Sequence, residues 1–287
     1  MLFRSGEVEK NIKYKEIDEK FIKLMLAENG TIDSSVNVCL YFAWHYFYNN
    51  DLETSMKRFN QVWLLNPEYP DSYFGFAALL EMQKNNSEAE RFYKIAESKD
   101  KSNERAKICF QRIADCKENL GDYNGTINAY LRLTKIDTTY SFAYKKLGFL
   151  YADKKNDTEK SLNAYNQAIK LDSIDELTFI NRGYLYQTIK DYSKAISDYS
   201  KAIELDSKNI RAFFYRGITQ MDVENFVEAK NDFETCVQLD DTSFELRRFL
   251  GISKLKLNDI EDACKDFQTA KNLGDKQVDI LIKDNCN

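Results

Sequence analysis

The chain has 287 residues, 43% apolar and 30% charged, with a net charge of −5 and a single histidine. That balance argues against disorder and against a basic nucleic-acid-binding face. No apolar run reaches the length of a membrane span, which takes about 18 residues or more; the longest, Cys39 to Tyr48, has ten and includes His45. The first ten residues, MLFRSGEVEK, lack the apolar stretch of a secretory signal. The compartment is left open between the cytoplasm and, if a signal peptide was removed, a periplasmic or exported setting.

In chain order, residues 1–13 are mixed and polar and predict little fixed structure. From Tyr14 to Ala27, the residues Ile17, Phe21, Leu24 and Met25 form one apolar stripe, and Asn29-Gly30 follows as a helix stop. Residues 1–35 therefore read as a lead-in with a capping helix. A repeating pattern then takes over. Gly148, Gly183, Gly217 and Gly251 stand 35, 34 and 34 residues apart, while Ser161, Ala195, Ala229 and Ala263 keep a spacing of 34. The same spacing separates Tyr165, Tyr199, Phe233 and Phe267. Such a period marks a repeat array.

The clearest unit is residues 176–209. Phe179, Gly183 and Tyr186 recur at helical spacing, as do Ile196, Tyr199, Ile203 and Leu205, and Lys190-Asp191 interrupts the two runs. The unit is thus a hairpin of two helices. Gly183 and Ala195 are placed where the helices cross, since an interior glycine, which costs a helix about 1 kcal/mol, needs a packing reason. Tyr186 and Tyr199 supply bulk beside the crossing, and Ala202 is placed to receive the next repeat.

These residues resemble the tetratricopeptide repeat (TPR) family. Seven repeats are read at 36–69, 70–103, 107–140, 141–175, 176–209, 210–243 and 244–277. Three extra residues precede the third, and one surplus residue sits in the DKKNDT loop of the fourth. The family usually closes each repeat with proline. Only Pro67 does so here; Ser173, Ser207 and Asp241 stand in its place and are expected to cap the following helix. The last stretch resembles the end of bacterial TPR proteins: Gly274 breaks the final repeat helix, and Val278, Ile280, Leu281 and Ile282 (within 278–287) pack back as a cap. The resemblance implies an all-α fold, a right-handed α–α superhelix of about seven hairpins with N- and C-terminal capping helices.

Residues for chemistry are scarce. His45 sits among aromatics and reads as a packing or partly exposed side chain. No glycine-rich phosphate loop occurs, and the six cysteines form no CxxC pair. Carboxylates alternate with lysines, as in DYSKAISDYSKAIE, and read as solvated faces. No enzyme activity, metal or cofactor is expected. Cys236 takes an alanine position and reads as core. Cys264 and Cys286 lie ten residues before and twelve after Gly274, so an antiparallel turn brings them to one level. They are expected as a disulfide if the protein is exported, and as two thiols otherwise.

The resemblance further implies that ligands lie on the first helix of each repeat. The corresponding places hold Trp44, Phe47, Tyr48, Phe74 and Met82, then Gln111, Arg112, Lys145, Lys146, Phe149, Asn181, Tyr184, Arg211, Phe214 and Arg248. Of a carboxylate clamp found in some relatives, Lys145, Asn181 and Arg211 match, but Phe149 and Tyr215 replace two of the five donors. The aromatic run LYFAWHYFY admits two readings, core under the N-terminal helix or binding surface. The expected function is a non-catalytic scaffold that holds a peptide or protein segment in its groove. The alternative is a structural subunit of an envelope or multiprotein assembly, using its ends or convex face.

Overall fold

The computed structural model describes residues 12–100 and 102–286, and the expectation for the polar lead-in falls almost wholly outside them. The fold is all-α, a solenoid of about seven helix hairpins, with sixteen helices and no strand among the described residues. By compactness the chain divides into two units, Met1–Thr139 and Tyr140–Asn287. The sequence reads as one array.

The first unit holds α1 (Ile12–Asn29), α2 (Ile32–Tyr48), α3 (Leu52–Leu65), α4 (Pro70–Met82), α5 (Asn86–Lys99), α6 (Asn103–Asn119) and α7 (Tyr123–Ile136). Consecutive helices pair as α2–α3, α4–α5 and α6–α7. The three extra residues before the third repeat lengthen its first helix instead of forming a loop, so α6 is 17 residues long where α4 is 13. Against the first hairpin, α1 lays Phe21, Ile22 and Met25 over Val36, Cys39, Val62 and Leu65. The expected stripe is corrected in part: Ile17 and Leu24 are exposed, because the buried face turns through Ile22.

The second unit holds α8 (Ser141–Lys155), α9 (Thr158–Leu171), α10 (Glu176–Thr188), α11 (Tyr192–Leu205), α12 (Ile210–Asp222), α13 (Phe226–Leu239), α14 (Phe244–Lys256), α15 (Ile260–Asn272) and α16 (Val278–Asn285). Pairs form as α8–α9, α10–α11, α12–α13 and α14–α15. At the end α16 sets Val278, Leu281 and Ile282 against Ala263, Phe267 and Ala270. Ile280, expected in that cap, is exposed instead, since it falls on the outer side of this single turn-and-a-half of contact.

Each hairpin is closed by the same local chemistry. One residue takes a left-handed conformation at Asn50, Lys84, Gly121, Asn156, Lys190, Glu224 and Asn258, and the next residue opens the second helix. At Lys190 the turn is a Schellman motif, with the N–H of Asp191 donating to the carbonyl of Tyr186 at 2.9 Å and that of Lys190 to Gln187 at 2.9 Å. Asp51, Asp122, Asp157 and Asp191 then accept from the N–H three residues on and cap the second helix.

Between hairpins the expectation of capping by Ser173, Ser207 and Asp241 is corrected. The N-cap places of α10, α12 and α14 fall two residues later, at Asp175, Asn209 and Ser243. What replaces proline is an Asx turn: Asp172, Asp206 and Asp240 accept from the N–H of Ile174, Lys208 and Thr242. A side-chain carboxylate can fold the chain back without a fixed φ.

Each hairpin buries one aromatic ring from its second helix, Phe59, Tyr93 and Tyr130 in the first unit and Tyr165, Tyr199, Phe233 and Phe267 in the second, each at most 1% exposed. Opposite the four rings of the second unit the first helix carries a glycine, whereas the first unit has Ala43, Ala77 and Ala114 in that place. A Cβ on Gly148 would stand 2.6 Å from the Tyr165 ring, and one on Gly251 would meet the Phe267 ring at 2.6 Å and the Ala263 carbonyl at 3.2 Å. Where serine replaces the crossing alanine, it bonds across: Ser161 Oγ donates to the Gly148 carbonyl at 2.7 Å, and Ser55 Oγ to that of Ala43 at 2.9 Å.

Candidate functional site

Within the second unit, α8, α10 and α12 enclose a cleft of about 460 Å³. Four sequence-expected residues line it: Phe149, Asn181, Tyr184 and Arg211, together with Tyr215. Helical spacing explains the grouping. Arg211 and Tyr215 are four apart on α12, and Asn181 and Tyr184 are three apart on α10, so each pair shares a face. The rings of Tyr184 and Tyr215 lie 5.7 Å apart, and Tyr215 stacks at 5.9 Å on the buried Tyr199. Phe149 and Tyr184 remain 42% and 52% exposed. Sequence reading passed over Tyr215, taking it as a lost clamp donor; its spacing from Arg211 is the signal that places it.

The remaining expected residues are placed differently. Lys145 is bonded to Asp175 at 2.8 Å, so its charge is already matched. Burial works to raise the Asp175 carboxyl, but the Lys145 ammonium and the Thr178 hydroxyl hold it below its usual value. Lys146 lies near the Phe142 ring. Phe214 is half-buried and packs on Phe233 and Phe249, which makes it mainly a core residue. Arg248, also placed on the groove, is taken by Asp275 at 2.9 Å.

In the first unit, Trp44 and Phe74 are half-buried, with Trp44 against Phe59 at 4.9 Å and Phe74 against Tyr93 at 5.2 Å. Tyr48 is 80% exposed and stacks on Trp44. The two readings of the aromatic run therefore divide residue by residue. Ala43 and Cys39 are core, Trp44 bridges, and Tyr41 and Tyr48 face outward because α1 covers only the side of Val36 and Cys39.

The reading of all carboxylates as solvated is corrected at five positions, of which Glu90 is bonded to Lys94 and Lys117 and Asp275 to Arg248. Asp198, Asp232 and Asp266 are buried and bonded to arginines or lysine of the preceding helix. A charged residue in an alternating polar run turns inward where a guanidinium can reach it across the hairpin. His45 is exposed, its ring stacked on Tyr41. Cys39, Cys109, Cys116 and Cys236 are buried free thiols, and burial pushes Cys116 and Cys236 up to about 12. Cys264 and Cys286 are joined as a disulfide, with their Cα atoms 5.6 Å apart. Among the described residues no cluster of His, Cys, Asp and Glu could hold a metal, and no helix is long and apolar enough to cross a membrane.

Two family models, both described as tetratricopeptide repeat, match residues 143–175 and 177–209. The C-terminal part of a TPR repeat-containing protein from Cytophaga hutchinsonii is similar with a TM-score of 0.72 at 18% identity, covering 86% of this chain and 99% of its own. A tetratricopeptide repeat protein from Parabacteroides merdae gives 0.58 at 15% identity over 87% and 96%. YrrB, described as a TPR protein with an unusual peptide-binding site, gives 0.54 at 19% identity over 64% and 92%. No curated protein matches the sequence. At these identities the structural likeness is one of fold.

Proposed function

This chain is a tetratricopeptide repeat protein, and on that premise we propose that it is a non-catalytic scaffold holding a peptide or protein segment against the first helices of its repeats. The observation that carries the reading is the cleft of the second unit. Its wall combines exposed rings with an arginine and an amide that have no partner among the described residues. Core-forming surface would be closed, and a merely solvated face would not gather rings around a cation. YrrB, similar in fold, is described by its peptide-binding site. In the first unit the same helix face offers Tyr48, with Trp44 and Phe74 behind it, as an apolar contact.

The test is site-specific photocrosslinking in cells that make the protein. A benzoylphenylalanine at Phe149 or Tyr184 should capture a protein partner. The same probe at Asn163 or Ser197, exposed on second helices, should not. Capture only from the second-helix positions would replace this reading with that of an assembly subunit working through its outer face.

A further inference from the structure

We infer that the cleft of the second unit is a slot for an aromatic side chain lying beside a carboxylate, so that the partner is an acidic segment anchored by Phe, Tyr or Trp. This rests on the scaffold reading and names what the scaffold selects.

The charge argument comes from the arginines of this unit. Arg182, Arg216, Arg247 and Arg248 are each bonded to an aspartate, Asp198, Asp232, Asp266 and Asp275. Arg211 alone has no ion pair among the described residues, and it is exposed at the cleft. The one carboxylate on the wall, Asp153, is held by Lys154 at 2.7 Å. A guanidinium among uncharged rings favours an incoming anion, and its planar fork matches a carboxylate. Asn181, half-buried and without a hydrogen bond, adds an amide donor.

The rings give the second half of the preference. Tyr215 is held by stacking on Tyr199, which is fully buried, so little freedom remains to be lost when a ligand ring docks. Phe149 and Tyr184 complete the slot. Since Arg211 and Tyr215 are one helical turn apart, the ligand's carboxylate and its aromatic side chain must lie within about two residues of each other.

The test uses the full chain and random twelve-residue peptides displayed internally on phage. Selected sequences should carry Asp or Glu within two residues of an aromatic. A selected peptide is then made with a fluorophore and followed by anisotropy. Arg211→Glu and Tyr184→Ala should each weaken it by about tenfold or more, with the thermal midpoint unchanged because both side chains are exposed. Selection of basic peptides, of none, or of peptides indifferent to Arg211→Glu overturns the inference while the scaffold reading stands. Failure of cross-linking at Phe149 and Tyr184 would count against the scaffold reading itself.

Discussion

Arg182 grips Asp198 with two hydrogen bonds, Nε to Oδ2 at 2.8 Å and Nη2 to Oδ1 at 2.7 Å. One repeat later Arg216 holds Asp232 in the same way, at 3.0 and 2.7 Å. The third guanidinium nitrogen reaches back to the previous second helix, to Asn166 in one case and Ser200 in the other. Each arginine thus ties three helices together, and two consecutive hairpins are registered by charge as well as by packing.

Breaking such a pair from one side should be costly. Asp232 is nearly buried, and burial raises its carboxyl even with Arg216 in place to lower it. Arg216→Leu leaves that carboxylate unpaired and should destabilise by about 3 kcal/mol at neutral pH. In the variant the carboxyl's folded pKa moves further above its unfolded value, about 3.9, so the loss is smallest below about pH 4 and grows as pH rises through the folded value. Urea melts at pH 4 and pH 7 check this. A deficit independent of pH would point to lost packing alone. Arg216→Leu combined with Asp232→Leu should recover part of the stability.

The glycine positions should rank by the room left for a methyl group. At Gly148 a Cβ would stand 2.6 Å from two Tyr165 ring atoms, whereas at Gly183 the nearest Tyr199 atoms are at 2.9 and 3.1 Å. Replacing an interior helical glycine by alanine returns about 1 kcal/mol of propensity, against an overpacking loss of about 1–3 kcal/mol. Gly148→Ala should be net destabilising and Gly183→Ala closer to neutral. Chemical denaturation of the two variants in parallel reads the order, and a reversed order would mean that the rings move more freely than their burial implies.

Lys190 and Glu224 hold φ values of 63° and 62°. A left-handed conformation is unfavourable for a residue with a Cβ by about 1–2 kcal/mol, partly offset by the extra chain entropy a glycine loses on folding. Lys190→Gly and Glu224→Gly should therefore raise stability, by up to about 1 kcal/mol each. Gly121, which already occupies this place in the third hairpin, should lose stability on change to alanine. Calorimetry on all three variants decides it; a lower midpoint for both glycine variants would overturn the turn assignment.

The cysteines should separate into two chemical classes. Cys39, Cys109, Cys116 and Cys236 are buried, and a thiol buried among apolar side chains is inert. A thiol reagent should find none of them in the folded protein and four after denaturation. Opening the Cys264–Cys286 bond, which spans 22 residues, should lower stability by about 3 kcal/mol on loop entropy. The loss should appear first in hydrogen exchange of α16. Equal protection of α16 with and without reductant would show that Val278, Leu281 and Ile282 suffice to hold it.

The sequence by itself determined the hairpin and its period. A small residue on one helix (alanine in the first three repeats, glycine in the last four), a ring on the next and a turn between them recur because every repeat must solve the same packing problem locally, and local solutions are written in local residues. It also placed Asn181 with Tyr184 on one face of α10, and Arg211 with Tyr215 on one face of α12, since helical spacing alone decides which side chains of one helix share a side. What the tertiary structure decided is which of them is already spoken for. Lys145 and Arg248 are matched by Asp175 and Asp275, about thirty residues further along the chain. Asp198 and Asp232, polar in an alternating polar run, are drawn inward by arginines on another helix. Partnership across helices depends on distances that no stretch of sequence contains, and it is partnership that leaves Arg211 as the charge still open to a ligand.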